Sequence, residues 1–202
     1  MSCPKVVAFD LGKVLVDFDY SIAARRITAR CARSIDHADF FGHHAPLLSR
    51  YELGEVTTQQ FFEAICHASG FSGTRAEFGD YFADIFTEIP PIVRLHATLR
   101  GKGLRTYIFS NTNELAISHI RRRFPFFSTF DGYIFSYEEG AMKPDRKIYE
   151  ALEKLAGCSG PEICYMDDLP QNIAAGAARG WQTVLHESPE KTQAALAKLG
   201  LL

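Results

Sequence analysis

Four short polar segments hold the residues whose types and spacing could do chemistry. They are Asp10, Ser110-Asn111-Thr112, Lys143 and the neighbouring pair Asp167 and Asp168, and each follows a run of apolar residues. A carboxylate can attack phosphorus, hydroxyl and lysine groups can hold phosphoryl oxygens, and paired carboxylates can hold a cation. One such segment alone is common in proteins, but all four in this order indicate phosphoryl-transfer chemistry.

The elements that must position these residues are five short apolar runs separated by helical patterns. The runs are predicted strands at Lys5–Phe9, Leu104–Phe109, Gly132–Phe135, Ile163–Met166 and Trp181–Leu185. They are continuously hydrophobic, which is typical of parallel strands covered on both faces. Helices are predicted at Pro91–Arg100, Glu114–Arg123, Asp145–Ala156 and Pro170–Arg179. The pattern predicts an α/β fold with a doubly wound, mainly parallel five-stranded sheet.

The interval between the first two strands is far longer than one crossover helix requires. Within it, Thr57-x-x-Gln60 and Thr74-x-x-Glu77 have the spacing of capping boxes that start helices. Two earlier helices are predicted over Ser21–Arg33 and His37–Arg50. We therefore predict a small helical bundle at residues 18–87, inserted into a core of residues 1–17 and 88–202.

The four polar segments should meet at one edge of the sheet. Ligands of open parallel sheets bind outside the carboxyl ends of the strands, and Asp10, Ser110 and Asp167-Asp168 all follow strands directly. Lys143 follows its strand through a short loop and precedes a helix. The sequence thus predicts one shared site.

These motifs and their order resemble the haloacid dehalogenase superfamily of phosphohydrolases, with a helical cap between its first and second motifs. The segments Phe9-Asp10-Leu11-Gly12, Ser110-Asn111-Thr112-Asn113 and Lys143-Pro144 are most similar to a bacterial subgroup of α-D-glucose-1-phosphate phosphatase-like enzymes. The resemblance implies a small phosphorylated metabolite as substrate. It favours a sugar phosphate, with a sugar 1-phosphate as one candidate.

The resemblance also implies a role for each residue. Asp10 would form an aspartyl-phosphate, and Lys143 would neutralise charge in the transition state and orient Asp10. Ser110 and the backbone N–H groups after it, at Asn111 and Thr112, would hold the phosphoryl oxygens. Mg²⁺ is the implied cofactor. Its ligands would be Asp10, the carbonyl of Gly12 and Asp168, with Asp167 acting directly or through water.

Gly12 departs from the family pattern, in which a second aspartate two residues after the nucleophile serves as general acid and base. Such catalysis is worth about 10²–10⁴-fold. Without a replacement, phosphates with good leaving groups, such as anomeric sugar phosphates, should be the better substrates. The side chains that could replace the acid are Asp17, Asp19, His43, His44 and Glu52. The next residue, Lys13, either adds positive charge near the phosphate or points into solvent.

Two other functions stay open. The founding enzymes of the superfamily cleave C–halogen bonds without a metal and also lack the second aspartate, but the Asp167-Asp168 pair would then have no use. A catalytically weakened member could instead act as a binding or regulatory protein. The joint presence of Asp10, Ser110, Lys143 and Asp168 argues against that reading.

The composition and charge of the chain limit the classes of binding partner that we expect. A 202-residue chain with 47% hydrophobic and 23% charged residues fits a soluble globular protein, and its net charge of −2 gives no reason to expect nucleic acid or an anionic membrane. No apolar stretch approaches the ~20 residues needed to span a bilayer, and because the first strand begins early we expect no signal peptide. The five cysteines are odd in number and scattered, so we expect reduced thiols and a cytoplasmic location.

Overall fold

The structure, a computed structural model, describes residues 4–33 and 36–202. Within these ranges the strands are β1 Val6–Phe9, β2 Val16–Phe18, β3 Phe86–Glu88, β4 Arg105–Ser110, β5 Gly132–Phe135, β6 Ile163–Asp167 and β7 Gln182–Leu185. The helices are α1 Tyr20–Thr28, α2 Phe40–His43, α3 Ala45–Glu52, α4 Thr58–Ser69, α5 Arg75–Ala83, α6 Pro90–Gly101, α7 Glu114–Arg123, α8 Ser136–Glu139, α9 Arg146–Ala156, α10 Pro170–Ala178 and α11 Pro189–Lys198. Two 3-10 turns cover Pro125–Thr129 and Gly160–Glu162.

Five strands form one parallel sheet in the order β5-β4-β1-β6-β7. β1 is central, and its last residue, Phe9, lies opposite Ile108 of β4 and Met166 of β6. All four residues of β1 are fully buried, which explains its uninterrupted apolar sequence. The predicted α/β fold with a five-stranded, mainly parallel sheet is confirmed.

Helices cover both faces of this sheet. Along β1, Val7 and Phe9 pack into one core with residues of α6, α7 and α11, whereas Val6 and Ala8 pack into a second core with residues of α9 and α10. This division follows from the alternation of side chains across a strand. The sheet is therefore doubly wound.

Local capping signals correspond to the observed helix ends. Asn113 is the N-cap of α7 and accepts a hydrogen bond of 3.1 Å from the backbone N–H of Ala116. Thr57 and Thr74 form complete capping boxes at the starts of α4 and α5. Gly157 ends α9 with φ of 65°, a left-handed conformation that glycine adopts without strain.

Two predicted helices are wrong in extent. The helix predicted over Ser21–Arg33 ends at Thr28, because the chain then turns and pairs with the segment after α4: Ala32 N–H donates to the carbonyl of Gly70 at 3.0 Å. The helix predicted over His37–Arg50 is two helices, α2 and α3, separated at His44, whose φ of −102° and ψ of 7° are not helical. Proline in the first turn of α3 fits this new start.

Helices α1 to α5 lie between β2 and β3 and share a core of their own, rich in phenylalanine. β2 and β3 pair antiparallel, with Val16 opposite Glu88 and Phe18 opposite Phe86, and this two-stranded sheet was not predicted. It connects the helical insertion to the larger sheet. The proposed division at residues 17/18 and 87/88 falls within these strands and stays a prediction.

None of the helices in the described ranges is long and apolar enough to cross a membrane. The described cysteines, Cys31, Cys66, Cys158 and Cys164, are free thiols. Cys3 lies outside the described residues.

Candidate active site

The central position of β1 brings the predicted site residues together. Asp10 follows β1 directly, Ser110 is the last residue of β4, and Asp167 is the last residue of β6. β4 and β6 flank β1 in parallel, so their carboxyl ends lie on either side of Asp10. Lys143 reaches the same place from the loop between α8 and α9.

Lys143 is the centre of the site's hydrogen-bond network. Its ammonium nitrogen lies 3.0 Å from Asp10 Oδ1 and 2.6 Å from Asp167 Oδ2, and it donates to the carbonyl of Phe109 at 2.9 Å. These contacts use all three ammonium hydrogens, and the side chain is only 1% exposed. Burial alone would lower the pKa of Lys143, but Asp10 and Asp167 raise it above its usual value, so Lys143 stays charged.

Asp167 is held on all sides. Besides Lys143, its carboxylate accepts hydrogen bonds from the Tyr165 hydroxyl, from Asn172 Nδ2 at 3.1 and 3.2 Å, and from the backbone N–H of Leu169 at 2.8 Å. Burial opposes ionisation, but Lys143 and these hydrogen bonds outweigh it and lower the pKa of Asp167. Its two oxygens thus already accept hydrogen bonds from four donor groups.

Asp10 is buried beside this ion pair. Burial, and after it the charge of Asp167, raises the pKa of Asp10 to about 7 against the opposing charge of Lys143. The backbone N–H of Leu11 donates to Asp10 Oδ1 at 2.7 Å. A further positive charge at this place would favour the ionised, nucleophilic form of Asp10.

The carboxylates around Asp10 have the chemistry of a hard-cation site. Oxygens of Asp10, Asp167 and Asp168 all lie within 4.8 Å of one another. Burial, and then the charge of Asp167, raises the pKa of Asp168. Three clustered carboxylates exceed the single positive charge of Lys143, and oxygen ligands are those that Mg²⁺ prefers. The residues present fit a divalent cation.

The end of β4 and the segment after it lie on the other side of Asp10 from Asp167. Ser110 is 2% exposed, and its hydroxyl donates to the carbonyl of Asn111 at 3.3 Å. The Asn111 side chain holds the backbone of Lys143, accepting from its N–H at 2.7 Å and donating to its carbonyl at 3.0 Å. The backbone N–H of Thr112 donates to the hydroxyl of Ser136 at 2.9 Å. Asn111 and Thr112 thus brace the site, while the hydroxyl of Ser110 has only a weak local bond.

Comparison with known proteins agrees with this geometry. The profile of the haloacid dehalogenase-like hydrolase family matches residues 4–180. The chain belongs to this hydrolase family. D-Ribitol-5-phosphate phosphatase of Bacteroides thetaiotaomicron is 24% identical over 192 residues, covering 91% of this chain and 92% of that protein. Acyl-CoA dehydrogenase family member 10 of Mus musculus is 27% identical over 199 residues, or 92% of this chain, but the match spans only 18% of the mouse protein.

Solved structures share the fold of this hydrolase. A HAD family enzyme of Bacteroides thetaiotaomicron superposes with a TM-score of 0.81 at 22% identity, covering 91% of this chain and 94% of that one. The complex of that enzyme with magnesium and inorganic phosphate gives a TM-score of 0.75 at 21% identity, with coverage of 90% and 93%.

A side chain at residue 12 would meet the ring of Phe18. A Cβ atom at residue 12 would lie 2.9 Å from Cε1 of the Phe18 ring. That ring is held edge-on by Tyr20 and Phe86, and the ammonium group of Lys13 lies 4.6 Å above it. A side chain at residue 12 therefore requires the ring to move.

Lys13 forms an ion pair with Asp17 near the start of the insertion. Its ammonium group lies 2.5 Å from Asp17 Oδ1 and donates to the carbonyl of Phe18 at 2.9 Å, with 45% of the side chain exposed. The charge of Lys13 is thus paired with Asp17 rather than free in solvent, and a contribution near the phosphate stays a prediction.

A small cavity of about 130 Å³ opens beside the site. Its lining includes Gly12 and the segment Ser110–Asn113, together with Phe18, Tyr20, Glu52 and Phe86. Of the five side chains considered as replacement acids, Glu52 alone is among the described residues that line this cavity.

Three residues that support the site were missed from the sequence. Tyr165 and Asn172 hold Asp167, and Ser136 holds Thr112 through both its backbone groups. Tyr165 could have been found, because strand periodicity places residues two apart on one face, next to Asp167. The roles of Asn172 and Ser136 depend on contacts between distant segments, for which the sequence carries no signal.

Proposed function

We propose that this hydrolase is a magnesium-dependent phosphatase that cleaves a small phosphorylated metabolite through an aspartyl-phosphate on Asp10. The observation that carries the proposal is the buried Asp10 carboxylate, ion-paired with Lys143 and clustered with Asp167 and Asp168 at the carboxyl end of the central strand. A buried nucleophile beside a cation and spare carboxylates suits phosphoryl transfer.

In the first half-reaction, an Asp10 oxygen attacks phosphorus, and the bond from phosphorus to the leaving-group oxygen breaks. Lys143 orients Asp10 and offsets negative charge that develops on the transferred group. The hydroxyl of Ser110 turns from its weak bond to Asn111 toward a phosphoryl oxygen. Water then attacks phosphorus in the second half-reaction, which releases inorganic phosphate and restores Asp10.

Asp10, the carbonyl of Gly12 and Asp168 would hold Mg²⁺. Asp167 would act through water, since its oxygens already accept four donor groups. When bound, the cation supplies the positive charge that lets a dianionic phosphate approach clustered carboxylates.

The substrate is proposed at the level of a class. The similarity to a phosphatase of D-ribitol 5-phosphate supports a sugar phosphate or a related polyol phosphate. The small cavity beside Ser110 supports a compact leaving group. The preference for a sugar 1-phosphate is a prediction that holds only if no residue replaces the acid missing at Gly12.

Residues 18–87 are proposed to act as a cap that encloses the leaving group. Contacts between α3, α4 and α7 support a closed arrangement. The Tyr51 hydroxyl accepts a hydrogen bond from the backbone N–H of Leu115 at 3.1 Å and lies 2.7 Å from Thr58 Oγ1. The hydroxyl of Thr58 in turn donates to the carboxylate of Glu114. Closure over the site would exclude water from the aspartyl-phosphate until the leaving group departs.

A metabolite-phosphate panel tests the function. We expect hydrolysis of sugar phosphates with Mg²⁺, loss of activity in EDTA and recovery when Mg²⁺ is restored. Full activity in EDTA would contradict the proposal and favour metal-independent, dehalogenase-like chemistry, which a 2-haloacid substrate would then reveal. Activity on neither class would leave a binding or regulatory role.

A further inference from the structure

The proposed reaction needs a proton donor that the first motif does not contain. An alkoxide leaving group departs poorly unless it is protonated, and the residue that usually supplies the proton is replaced by Gly12. The Phe18 ring occupies the space that a side chain at residue 12 would need, with its nearest atom 2.9 Å from the Cβ position. A donor therefore has to come from another part of the chain.

Glu52 lies where such a donor is required. It is the last residue of α3, and it lines the same cavity as Gly12 and Ser110. The cavity volume of about 130 Å³ far exceeds the ~10–15 Å³ that one water needs, yet it is well below the ~300 Å³ of a typical ligand pocket. A leaving group bound next to Ser110 would thus lie close to Glu52.

The residues on either side fix the position of Glu52. Tyr51 is 2% exposed and is tied through its hydroxyl to the first turn of α7. Gly54 has φ of 71° and packs so closely on α8 that a Cβ there would lie 2.1 Å from the carbonyl oxygen of Tyr137. The contacts of Tyr51 with α7 and of Gly54 with α8 therefore fix the backbone on both sides of Glu52 against the domain that contains the five-stranded sheet.

We infer that Glu52 is the general acid and base of this hydrolase, replacing the aspartate that is absent at residue 12. The inference rests on the proposed phosphatase function and identifies how the leaving group is protonated. Its carboxyl group touches the leaving group, so Glu52 acts as a catalytic residue from the helical insertion.

The step balances without a further reactant. As the bond from phosphorus to the leaving oxygen breaks, the Glu52 carboxyl proton passes to that oxygen, and a neutral alcohol leaves with Glu52 as carboxylate. Asp10 now carries the phosphoryl group. In the second step the Glu52 carboxylate takes a proton from water as the water oxygen bonds phosphorus and the bond to Asp10 breaks, which restores both carboxyl groups.

The surroundings of Glu52 suit a group that must hold and release a proton near neutrality. Burial raises the pKa of Glu52 to about 7, and a hydrogen bond from the Asn113 side chain opposes that shift. Tyr20 faces it from α1, and burial followed by the charge of Glu52 raises the pKa of that phenol, so Tyr20 stays protonated. Among the described residues that line the cavity there is no lysine, arginine or histidine.

The other replacements do not meet these conditions. Asp17 is paired with Lys13, and Asp19 caps α1 through the backbone N–H of Ser21, so hydrogen bonds lower the pKa of both exposed carboxyls. His43 is exposed, and His44 packs on the ring of Phe40 with centroids 4.8 Å apart. None of these four side chains lines the cavity.

The test compares two esters of similar size with Glu52→Gln, which keeps the shape and removes the proton. Benzyl phosphate releases an alkoxide that needs a proton, whereas p-nitrophenyl phosphate releases a phenolate that does not. We expect kcat/KM of Glu52→Gln with Mg²⁺ to fall by about 10²–10⁴-fold on benzyl phosphate and by less than ~10-fold on p-nitrophenyl phosphate. The wild-type chain should show a shallow dependence of kcat/KM on leaving-group pKa across substituted phenyl phosphates.

Glu55→Gln is the matched control, because Glu55 lies three residues further on, is exposed and pairs with Arg50 outside the cavity. It should leave both rates unchanged. Equal losses on the two esters in Glu52→Gln, no loss on benzyl phosphate, or a steep wild-type dependence would each overturn the assignment. If Glu52→Gln fails to fold, the wild-type series still decides. A wild-type chain inactive on both esters overturns the phosphatase proposal itself, so the two failures are distinguishable.

Discussion

Replacing Lys143 by methionine should destabilise the fold and abolish turnover together, because one buried cation serves both. The Lys143 ammonium group bridges Asp10 and Asp167, and its side chain is 1% exposed. Methionine fills nearly the same volume, so the change removes charge without leaving a large cavity. Two buried carboxylates would then face each other without a positive partner.

The magnitude follows from that burial. Removing one partner of a buried ion pair costs about 3–5 kcal/mol of unfolding free energy. For a chain of this size about 1 kcal/mol shifts Tm by ~2–4 °C, so the expected loss in Tm is ~6–20 °C. Asp10 already has a folded pKa of about 7, above its unfolded value, and loss of Lys143 raises it further. A raised folded pKa contributes stability at low pH that is lost as pH rises, so the deficit should be smaller near pH ~5 than near pH ~8.

The assay is thermal unfolding in EDTA, so that no bound metal compensates, at both pH values. Lys154→Met on the exposed face of α9 is the control and should leave Tm within about 2 °C. A Lys143→Met variant as stable as the wild type, or with the larger deficit at low pH, would refute the view that Lys143 neutralises buried carboxylates.

Three further predictions follow from single contacts. Asp168→Ala should weaken Mg²⁺ binding by at least ~10-fold, about 1.4 kcal/mol, in calorimetry, and unchanged affinity would exclude Asp168 as a ligand. Gly12→Ala should lower the unfolding free energy by about 1–3 kcal/mol through contact with Phe18, and the loss should shrink in a Phe18→Ala background; equal losses in both backgrounds would refute the contact. Tyr51→Phe should lower the unfolding free energy, measured by denaturant titration, by about 1–3 kcal/mol, because the backbone N–H of Leu115 loses its partner. No loss would show that water replaces the hydroxyl.

Local sequence signals predicted the sheet and many helix ends. β1 is fully buried, so its residues are apolar without interruption, and the caps at Asn113, Thr57 and Thr74 depend on side chains within three residues of each other. Strand ends shifted by one residue, which placed Ser110 inside its strand rather than after it. Such signals need no knowledge of distant contacts.

The helical insertion was predicted less well because distant pairing decides it. The first helix ends early where Ala32 bonds Gly70, and β2 exists because Val16 to Phe18 meet Phe86 to Glu88 across the whole insertion. Neither three-residue strand is long enough to show a period of two. No local pattern distinguishes these segments from a loop.

At the site, the residue types were predictable and their surroundings were not. The order of the four polar segments predicted that Asp10, Lys143 and Asp167 would meet. The sequence did not indicate that Tyr165 and Asn172 donate hydrogen bonds to the carboxylate of Asp167, or that Phe18 fills the space beside Gly12. It left Glu52 as one of five candidates, because only folding places it on the cavity.

We propose above all that Asp10 carries the phosphoryl group during turnover. Rapid acid quenching of the wild-type chain with Mg²⁺ and excess substrate, followed by peptide mass spectrometry, measures this directly. We expect one phosphoryl group on the peptide that contains Asp10, formed no more slowly than the steady-state rate, and none in Asp10→Asn. That variant should retain less than about a hundredth of wild-type activity. Steady turnover with no phosphorylated Asp10, together with substantial activity in Asp10→Asn, would contradict it.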